Sequence, residues 1–336
     1  METDDPLPDL GALRGMSLVH PDQLDRDMII GLCRAAALIE AGGRPLGRPL
    51  AGSIAITAFF EASTRTRLSF ESAVVRLGGG VLSVPDGKVT GVAKGESLAD
   101  IGEMFTGYGD VVIVRHPDQG SVEEIGASAG IPVINAGNGT AHHPTQALAD
   151  WYALLKWRPA LALEDCAEDE RIHLVVMGSP STMRAVNSFL WLSSRFGSAI
   201  QRITVASVFA DPFEDDLRAE LESAGIDVEL TDDPASVVGD ADVLYMNAIV
   251  PVTDGFVTQD DAVTVSASIG LKPQAVVMHP LARGPELDED LDDTEHNLYF
   301  AQAAGAVHVR EALLLGILGD REALAVACAP AQRDET

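Results

Sequence analysis

Apolar residues along this chain follow two alternating patterns, short continuous runs and longer segments with a helical period. Short apolar runs bounded by polar or glycine-rich residues are typical of buried parallel strands, whereas apolar positions three or four residues apart indicate helices. The runs predict strands at residues 53–60, 81–84, 111–115, 133–135, 172–177, 203–207, 228–230, 243–246 and 275–278. The helical period predicts helices at residues 22–41, 64–77, 146–157, 184–196 and 306–318.

Strands and helices that alternate in this way predict an α/β protein with two domains, each built on a doubly wound parallel sheet. Ligands of such sheets bind at the carboxyl ends of the strands. Residues 158–171 are polar and irregular, and they form the best linker between the two halves. A length of 336 residues with 46% hydrophobic content is sufficient for two domains that each have a core.

The segment after the first strand combines a hydroxyl-rich turn with a helix start, and it reads Ser63-Thr64-Arg65-Thr66-Arg67. Backbone N–H groups and the helix dipole favour an anion at such a position. Ser63 suits the N-cap, but arginine in a first turn is unfavourable unless an anion compensates for it. The alternative is a capped helix with two solvated arginines. The arginines and hydroxyls together favour a phosphate-binding site.

This segment closely resembles the carbamoyl-phosphate signature of the aspartate/ornithine carbamoyltransferase family. Four further segments resemble the family in the same order, at residues 94–100, 115–117, 143–150 and 279–283. The likeness extends from about Leu13 to about Gly319. The aspartate branch fits better than the ornithine branch because of the Lys-Gly-Glu sequence at residues 94–96 and the lack of cysteine at residues 279–283.

The resemblance implies a fold in which the last long helix crosses back to the first domain. The carbamoyl-phosphate domain is then residues 1–157 plus about 300–336, and the acceptor domain is residues 158–299, with long helices joining the two. In the implied reaction, an amine attacks the carbonyl carbon of carbamoyl phosphate, and preorganised donors stabilise the charge on the carbonyl oxygen. The departing phosphate can accept the amine proton. We therefore expect no metal and no cofactor.

The resemblance also assigns roles to single residues. The groups that hold the phosphate are those of the anion-binding turn, Ser63, Thr64, Arg65 and Thr66. Arg115 bridges the phosphate and the carbonyl oxygen, and His143 donates to that oxygen, so that Arg65, Arg115 and His143 are the expected catalytic residues. The remaining carbamoyl-phosphate contacts are the side chain of Gln146, which binds the carbamoyl amide, and the backbone carbonyls of Pro280 and Leu281, which accept from its NH2 group.

A glycine-rich polar stretch at residues 86–95 contains Thr90 and Lys94. By itself it indicates a mobile loop with a solvated lysine. In the family, this loop reaches the site of the adjacent subunit and offers a serine and a lysine to the phosphate. Lys94 matches the lysine, and Thr90 keeps the hydroxyl of the serine. The resemblance therefore implies a homotrimer or a dimer of trimers with shared sites.

The acceptor half of the site departs from the family pattern. Arg184 matches the arginine that binds the α-carboxylate of the acceptor amino acid. Aspartate carbamoyltransferases follow the strand at residues 243–246 with Thr-Arg-Val-Gln, but this chain has Asn247-Ala248-Ile249-Val250. Asn247, Ala248, Val250 and Arg283 complete the candidate acceptor site. A second departure is alanine instead of proline at residue 282, which leaves the isomer of the preceding peptide bond open.

Three functions remain open from the sequence. The first is a carbamoyltransferase whose acceptor is an amine other than aspartate. The second is a genuine aspartate carbamoyltransferase that makes N-carbamoyl-aspartate for pyrimidine synthesis. The third is a homologue without catalysis that binds carbamoyl phosphate or a partner chain.

Charge and cysteine content exclude some classes of partner. The net charge is −28 without a basic stripe, so nucleic acid is not an expected partner. We expect no apolar stretch of transmembrane length, and the first residues are acidic rather than signal-like. The three cysteines are far apart, which suits a reducing compartment. We therefore expect a cytoplasmic protein.

Overall fold

The computed structural model describes residues 7–42, 47–207, 209–213, 215–247, 251–252, 255–256 and 264–329. In chain order, the described strands are β1 (Ile54–Phe59), β2 (Gly80–Val84), β3 (Val111–His116), β4 (Val133–Asn138), β5 (Ile172–Met177), β6 (Ile200–Ala206), β7 (Asp227–Thr231), β8 (Val243–Met246), β9 (Pro251–Val252), β10 (Gly255–Phe256) and β11 (Val276–Met278). The described α-helices are α1 (Arg26–Gly42), α2 (Thr64–Arg76), α3 (Leu98–Thr106), α4 (Ser121–Ser128), α5 (Pro144–Trp157), α6 (Arg184–Ser193), α7 (Asp215–Ser223), α8 (Ala235–Val238), α9 (Tyr299–Leu318) and α10 (Arg321–Cys328).

The chain folds into two compact units, one of residues 1–139 with 305–336 and one of residues 140–304. The first unit contains a four-stranded sheet in the order β2-β1-β3-β4, and all of its strand pairs are parallel. The predicted strands of this half are confirmed, and the largest difference is that β4 extends to Asn138. Its core comprises buried residues from the sheet and from α3 and α4, including Ile56, Ile101, Phe105, Val112, Val122 and Ile125.

The second unit contains a five-stranded parallel sheet in the order β11-β8-β5-β6-β7. β5 and β8 are buried along their whole length, because a parallel sheet is covered on both faces. β9 and β10 form a separate antiparallel pair. The prediction of two parallel α/β sheets is therefore confirmed, and each predicted strand of this half is present within three residues of its expected ends.

The two units divide the chain at different residues from the predicted domains. The prediction ended the first domain at residue 157, whereas the division into compact units falls at residue 139 and groups α5 with the second unit. The functional domain boundary stays a prediction. Trp151 on α5 stacks on Phe196 with ring centroids 3.9 Å apart, and it also lies against Phe189 of α6. Periodicity shows which face of a helix is apolar, but it does not show which neighbour that face contacts.

α9 begins at Tyr299, seven residues before its predicted start, and the division between the two units falls within it. It is the one described helix that is long and apolar enough to cross a membrane, which corrects the expectation that no stretch has that length. However, 67% of its apolar window is buried inside the protein. A buried core helix also meets these criteria, and the burial identifies α9 as a core helix.

Candidate active site

The predicted anion-binding turn lies at the carboxyl end of β1, as a doubly wound sheet requires. Ser63 has the extended backbone of an N-cap residue, and α2 begins at Thr64. The Ser63 side chain makes no capping hydrogen bond to the first turn. The Ser63 side chain therefore does not occupy the N–H groups at the start of α2. An anion-binding helix start needs such N–H groups for its ligand.

The two arginines of this turn have different surroundings. Arg67 lies 3.4 Å from the Ser83 hydroxyl and 3.9 Å from the Glu71 carboxylate. Arg65 is exposed, and its guanidinium makes no hydrogen bond or ion pair with any residue that the structure describes. Partial desolvation lowers the pKa of Arg65, because removal from water disfavours the charged form. Arg65 is therefore the cation that remains for a ligand.

The backbone of the turn is connected to α9 through the Ser69 hydroxyl. The Ser69 hydroxyl donates to the carbonyls of Arg65 and Thr66, at 2.6 and 3.0 Å. Arg310 of α9 is 3% exposed, donates to the same hydroxyl and places its guanidinium 4.8 Å from the centre of the Phe70 ring. Sequence reasoning did not select Arg310, because it lies within an apolar helical pattern far along the chain from the turn.

Arg115 lies next to the anion-binding turn because β1 and β3 are neighbouring parallel strands. It pairs in register with Phe59, and its carbonyl accepts from the N–H of Phe60 at 2.8 Å. Its guanidinium is 12% exposed and donates to the Glu61 carboxylate at 3.0 Å. The first unit therefore gathers the Arg115 guanidinium and the turn at residues 63–66 at one edge of its sheet.

His116 has the structural role that its backbone bonding indicates. Its Nδ1 accepts from the N–H of Asp118 at 3.1 Å, and its ring lies 5.1 Å from that of Phe60. Burial lowers the pKa of His116, which outweighs the opposite effect of nearby carboxylates. A neutral ring that accepts at Nδ1 keeps its proton on Nε2.

Residues 86–95 form two short 3-10 turns, Gly87–Val89 and Gly91–Lys94. The Thr90 hydroxyl donates to the Gly87 carbonyl at 2.6 Å, while Lys94 is exposed. Contact of Thr90 and Lys94 with the site of an adjacent subunit stays a prediction.

In the second unit, His143 is the residue before α5, and its side chain is buried. Its N–H donates to the Ser188 hydroxyl at 2.7 Å, and its Nδ1 lies 3.4 Å from the Thr145 hydroxyl. Nδ1 of the neighbouring His142 lies 3.1 Å from the Asn187 side-chain oxygen. Both histidines are thus positioned by α6, which the sequence did not indicate.

A buried polar cluster centres on Asp150, one turn after Gln146 in α5. Asp150 is fully buried, and its Oδ1 accepts from the side-chain NH2 groups of Gln146 and Gln302, at 2.7 and 2.6 Å. Its Oδ2 accepts from the Tyr245 hydroxyl at 2.7 Å. Burial, with the adjacent carboxylate, raises the pKa of Tyr245. Gln146 and Asp150 both lie in the family-like segment at residues 143–150, but no sequence pattern indicated that Gln302 and Tyr245 would join them.

The turn at residues 279–283 is fixed by the side chain of His279. His279 is buried, its Nδ1 accepts from the N–H of Leu281 at 2.8 Å, and its Nε2 lies 3.0 Å from Oε1 of Glu286. The N–H of His279 donates to Oε1 of Gln302 at 3.0 Å. The peptide bond between Leu281 and Ala282 is cis, and Leu281 has a φ of 51°. The isomer that the sequence left open is therefore cis in this structure.

Burial favours a raised pKa for Glu286, but hydrogen bonds from His279 and from the N–H of Gly284 outweigh it and lower the pKa. Glu286 is consequently an ionised acceptor that keeps the His279 ring in one orientation.

The predicted acceptor residues are only partly within the described chain. Arg184 is the first residue of α6 and is half-buried, and Asn247 follows β8 directly. Ala248 and Val250 lie outside the described residues. The binding of an acceptor by these residues stays a prediction.

Arg283 is bound within its own segment. Its guanidinium forms a two-point pair with the Asp292 carboxylate, at 2.5 and 2.8 Å, and the Tyr299 hydroxyl donates to the same carboxylate at 2.5 Å. These hydrogen bonds, chiefly the one from Arg283, lower the pKa of Asp292 to about 2. The charge of Arg283 is thus compensated by Asp292 in this structure. Among the described residues, no group of three or more histidine, cysteine or acidic side chains could hold a metal.

Comparison with known proteins agrees with this arrangement. The model of the "Aspartate/ornithine carbamoyltransferase, carbamoyl-P binding domain" matches residues 16–156, and that of the "Asp/Orn binding domain" of the same family matches residues 170–317. The aspartate carbamoyltransferase catalytic subunit of Methanothrix thermoacetophila is 35% identical over 92% of this chain and 100% of its own length. The same subunit of Picrophilus torridus is 36% identical over 81% of this chain and 88% of its own length.

Solved structures are similar over nearly the whole chain. Aspartate transcarbamoylase from Trypanosoma cruzi in complex with carbamoyl phosphate and aspartate has a TM-score of 0.80 and 31% identity, covering 94% of this chain and 100% of its own. The same enzyme with carbamoyl aspartate and phosphate has a TM-score of 0.81 and 31% identity, covering 93% and 99%. The chain therefore belongs to the aspartate/ornithine carbamoyltransferase family and is a carbamoyltransferase.

Proposed function

We propose that this enzyme transfers the carbamoyl group of carbamoyl phosphate to the amino group of aspartate. The observation that carries the proposal is the likeness over nearly the whole chain to enzymes named for that acceptor, one of them solved with carbamoyl phosphate and aspartate. In this reaction the amine nitrogen bonds to the carbonyl carbon, the bond from that carbon to the phosphate oxygen breaks, and phosphate leaves with the amine proton.

The chemistry of the described residues supports the carbamoyl-phosphate half of this proposal. An exposed Arg65 at an anion-favouring helix start suits a dianionic phosphate. Arg115, at the end of the neighbouring strand, supplies a second cation for the phosphate and for the charge that develops on the carbonyl oxygen. His143 and Gln146 lie together at the start of α5, and their proposed partners are the carbonyl oxygen and the carbamoyl amide.

A second candidate acceptor is an amine with at most one carboxylate. It is favoured by the sequence Asn247-Ala248-Ile249-Val250, which has no charged side chain, and by the pairing of Arg283 with Asp292. Arg184 could bind one carboxylate of aspartate. A second carboxylate that is partly buried without a cation costs several kcal/mol, or roughly a thousandfold in affinity. This reasoning and the relatives thus favour different acceptors.

Steady-state kinetics decide between the two acceptors. Phosphate release from carbamoyl phosphate is measured with aspartate, with neutral amino acids and with simple amines at equal concentrations. A kcat/KM for aspartate of about 10⁴ M⁻¹s⁻¹ or more, the ordinary range for enzymes, supports the aspartate proposal. A kcat/KM for aspartate that is at least roughly a hundredfold below that of a neutral amino acid supports the second candidate instead.

We also propose that the enzyme is a homotrimer or a dimer of trimers in the cytoplasm. The family loop that contains Thr90 and Lys94 supports shared sites. The cysteines Cys33, Cys166 and Cys328 are free thiols, which supports a reducing compartment. Sedimentation equilibrium tests the oligomeric state, and a monomer with full activity would contradict shared sites.

A further inference from the structure

The Asp150 cluster contains two glutamines whose amide orientation is determined by one carboxylate oxygen. Gln146 and Gln302 both direct their NH2 groups to Oδ1 of Asp150, at 2.7 and 2.6 Å. An ionised carboxylate can only accept hydrogen bonds. Neither amide can therefore turn its oxygen toward Asp150 without losing its hydrogen bond to that residue. The amide oxygens of both glutamines are therefore held on the side away from Asp150.

These two oxygens serve different purposes. Oε1 of Gln302 accepts from the N–H of His279 at 3.0 Å, at the start of the turn that contains Pro280 and Leu281. Oε1 of Gln146 is the acceptor that its proposed role requires, since the carbamoyl NH2 group can only donate. One buried carboxylate thus orients one acceptor for that NH2 group and positions the backbone turn whose carbonyls are the other proposed acceptors.

We infer that Asp150 is a positioning residue for substrate specificity. It orients Gln146 directly and the turn at residues 279–281 through Gln302, so that the site recognises the NH2 group of carbamoyl phosphate. Acetyl phosphate has the same phosphate and carbonyl but a methyl group in place of NH2. A site with hydrogen-bond acceptors at this position rejects the methyl compound, because the acceptors are left without donors. Discrimination between these two acyl phosphates therefore depends on Asp150.

The inference rests on the carbamoyl-phosphate half of the proposed function and not on the identity of the acceptor. The test is equilibrium binding of carbamoyl phosphate and of acetyl phosphate to the full-length protein, measured by calorimetry without any amine. The quantity of interest is the ratio of the two dissociation constants. A general loss of structure changes both constants together, whereas a loss of orientation weakens only carbamoyl phosphate.

Two variants of Asp150 form a matched pair. Asp150→Asn keeps an oxygen that can accept from both glutamines, and its NH2 group can donate to the Tyr245 hydroxyl oxygen. We expect its ratio to stay within about threefold of the wild type. Asp150→Leu has a similar size but no acceptor, and we expect the preference for carbamoyl phosphate to fall about tenfold while acetyl phosphate binds as before.

A second pair decides the question if Asp150→Leu does not fold. Gln302→Met and Tyr245→Phe each remove one hydrogen bond to Asp150, but only the first releases the N–H of His279. We expect the preference for carbamoyl phosphate to fall severalfold in Gln302→Met and to remain unchanged in Tyr245→Phe.

Several results would overturn the inference. One is a wild-type protein that binds carbamoyl and acetyl phosphate equally well. Another is a ratio of the two dissociation constants that does not change in Asp150→Leu. If that variant does not fold, the corresponding result is an equal ratio in Gln302→Met and Tyr245→Phe. Poor kinetics with aspartate would contradict the proposed acceptor, but they would leave this binding test unaffected.

Discussion

Replacement of Arg65 by alanine separates ligand binding from folding more cleanly than any other change at the anion-binding turn. The Arg65 side chain is exposed, and its guanidinium contacts no partner among the residues that the structure describes. Its backbone carbonyl, which accepts from Ser69, is unaffected by the change. The free energy of unfolding should therefore change by no more than about 0.5 kcal/mol, as for other surface positions without contacts.

The effect on binding should be much larger. A hydrogen bond between a guanidinium and a phosphate contributes about 1.5–3 kcal/mol. Since 1.4 kcal/mol corresponds to a factor of ten, the affinity for phosphate should fall by roughly 10- to 150-fold. Arg115→Ala should also weaken binding, but it removes the 3.0 Å pair with Glu61 and should lower the melting temperature as well.

Arg67→Ala is the matched control. It removes the same charge from the same turn of α2, so that the change in the long-range field is similar. Arg67 already has Ser83 and Glu71 as neighbours, and we expect only the loss of its screened long-range attraction for the phosphate, which is about a few-fold in affinity.

The assay is calorimetric titration with inorganic phosphate and with carbamoyl phosphate, combined with thermal unfolding of each variant. Equal affinities of Arg65→Ala and Arg67→Ala would refute the assignment of Arg65 as the direct phosphate ligand. Wild-type affinity in Arg65→Ala would refute the anion site itself.

Three further predictions concern other parts of the protein. The pKa of Asp292 is about 2 in the folded protein and about 3.9 in the unfolded chain. The difference in unfolding free energy between the wild type and Asp292→Asn, measured by urea denaturation, should therefore be constant above about pH 5 and should shrink as the pH falls toward 2. A difference that stays constant down to pH 2 would contradict this prediction. Mixed Arg65→Ala and Lys94→Ala chains should regain activity that neither has alone, and failure after confirmed subunit exchange would argue against shared sites. Arg310→Met should lower the unfolding free energy by about 1–3 kcal/mol and weaken phosphate binding, because the Ser69 hydroxyl loses its donor. Arg310→Lys is the control. An unchanged phosphate affinity of Arg310→Met in calorimetry would contradict the connection between Arg310 and the anion-binding turn.

The parts of the fold that sequence patterns predicted are those that depend on local chemistry. Continuous apolar runs correctly gave the strands of both parallel sheets, because strands covered on both faces need apolar residues throughout. The turn from Ser63 to Arg67 was recognisable because a helix start with uncompensated arginines is unfavourable without an anion. The packing partner of α5 could not be predicted in this way. The apolar pattern places Trp151 on the buried face of the helix, but it does not indicate that this ring stacks on Phe196.

Residues that are close together in the chain were sufficient to indicate the family, the succession of strands and the carbamoyl-phosphate signature. Only the tertiary structure distinguished Arg65 from Arg67, joined Arg283 to Asp292, and placed Gln302 and Tyr245 around Asp150. Asp150 and Gln302 are 152 residues apart. No local pattern records such a contact, because burial and hydrogen-bond geometry arise only when distant segments pack together.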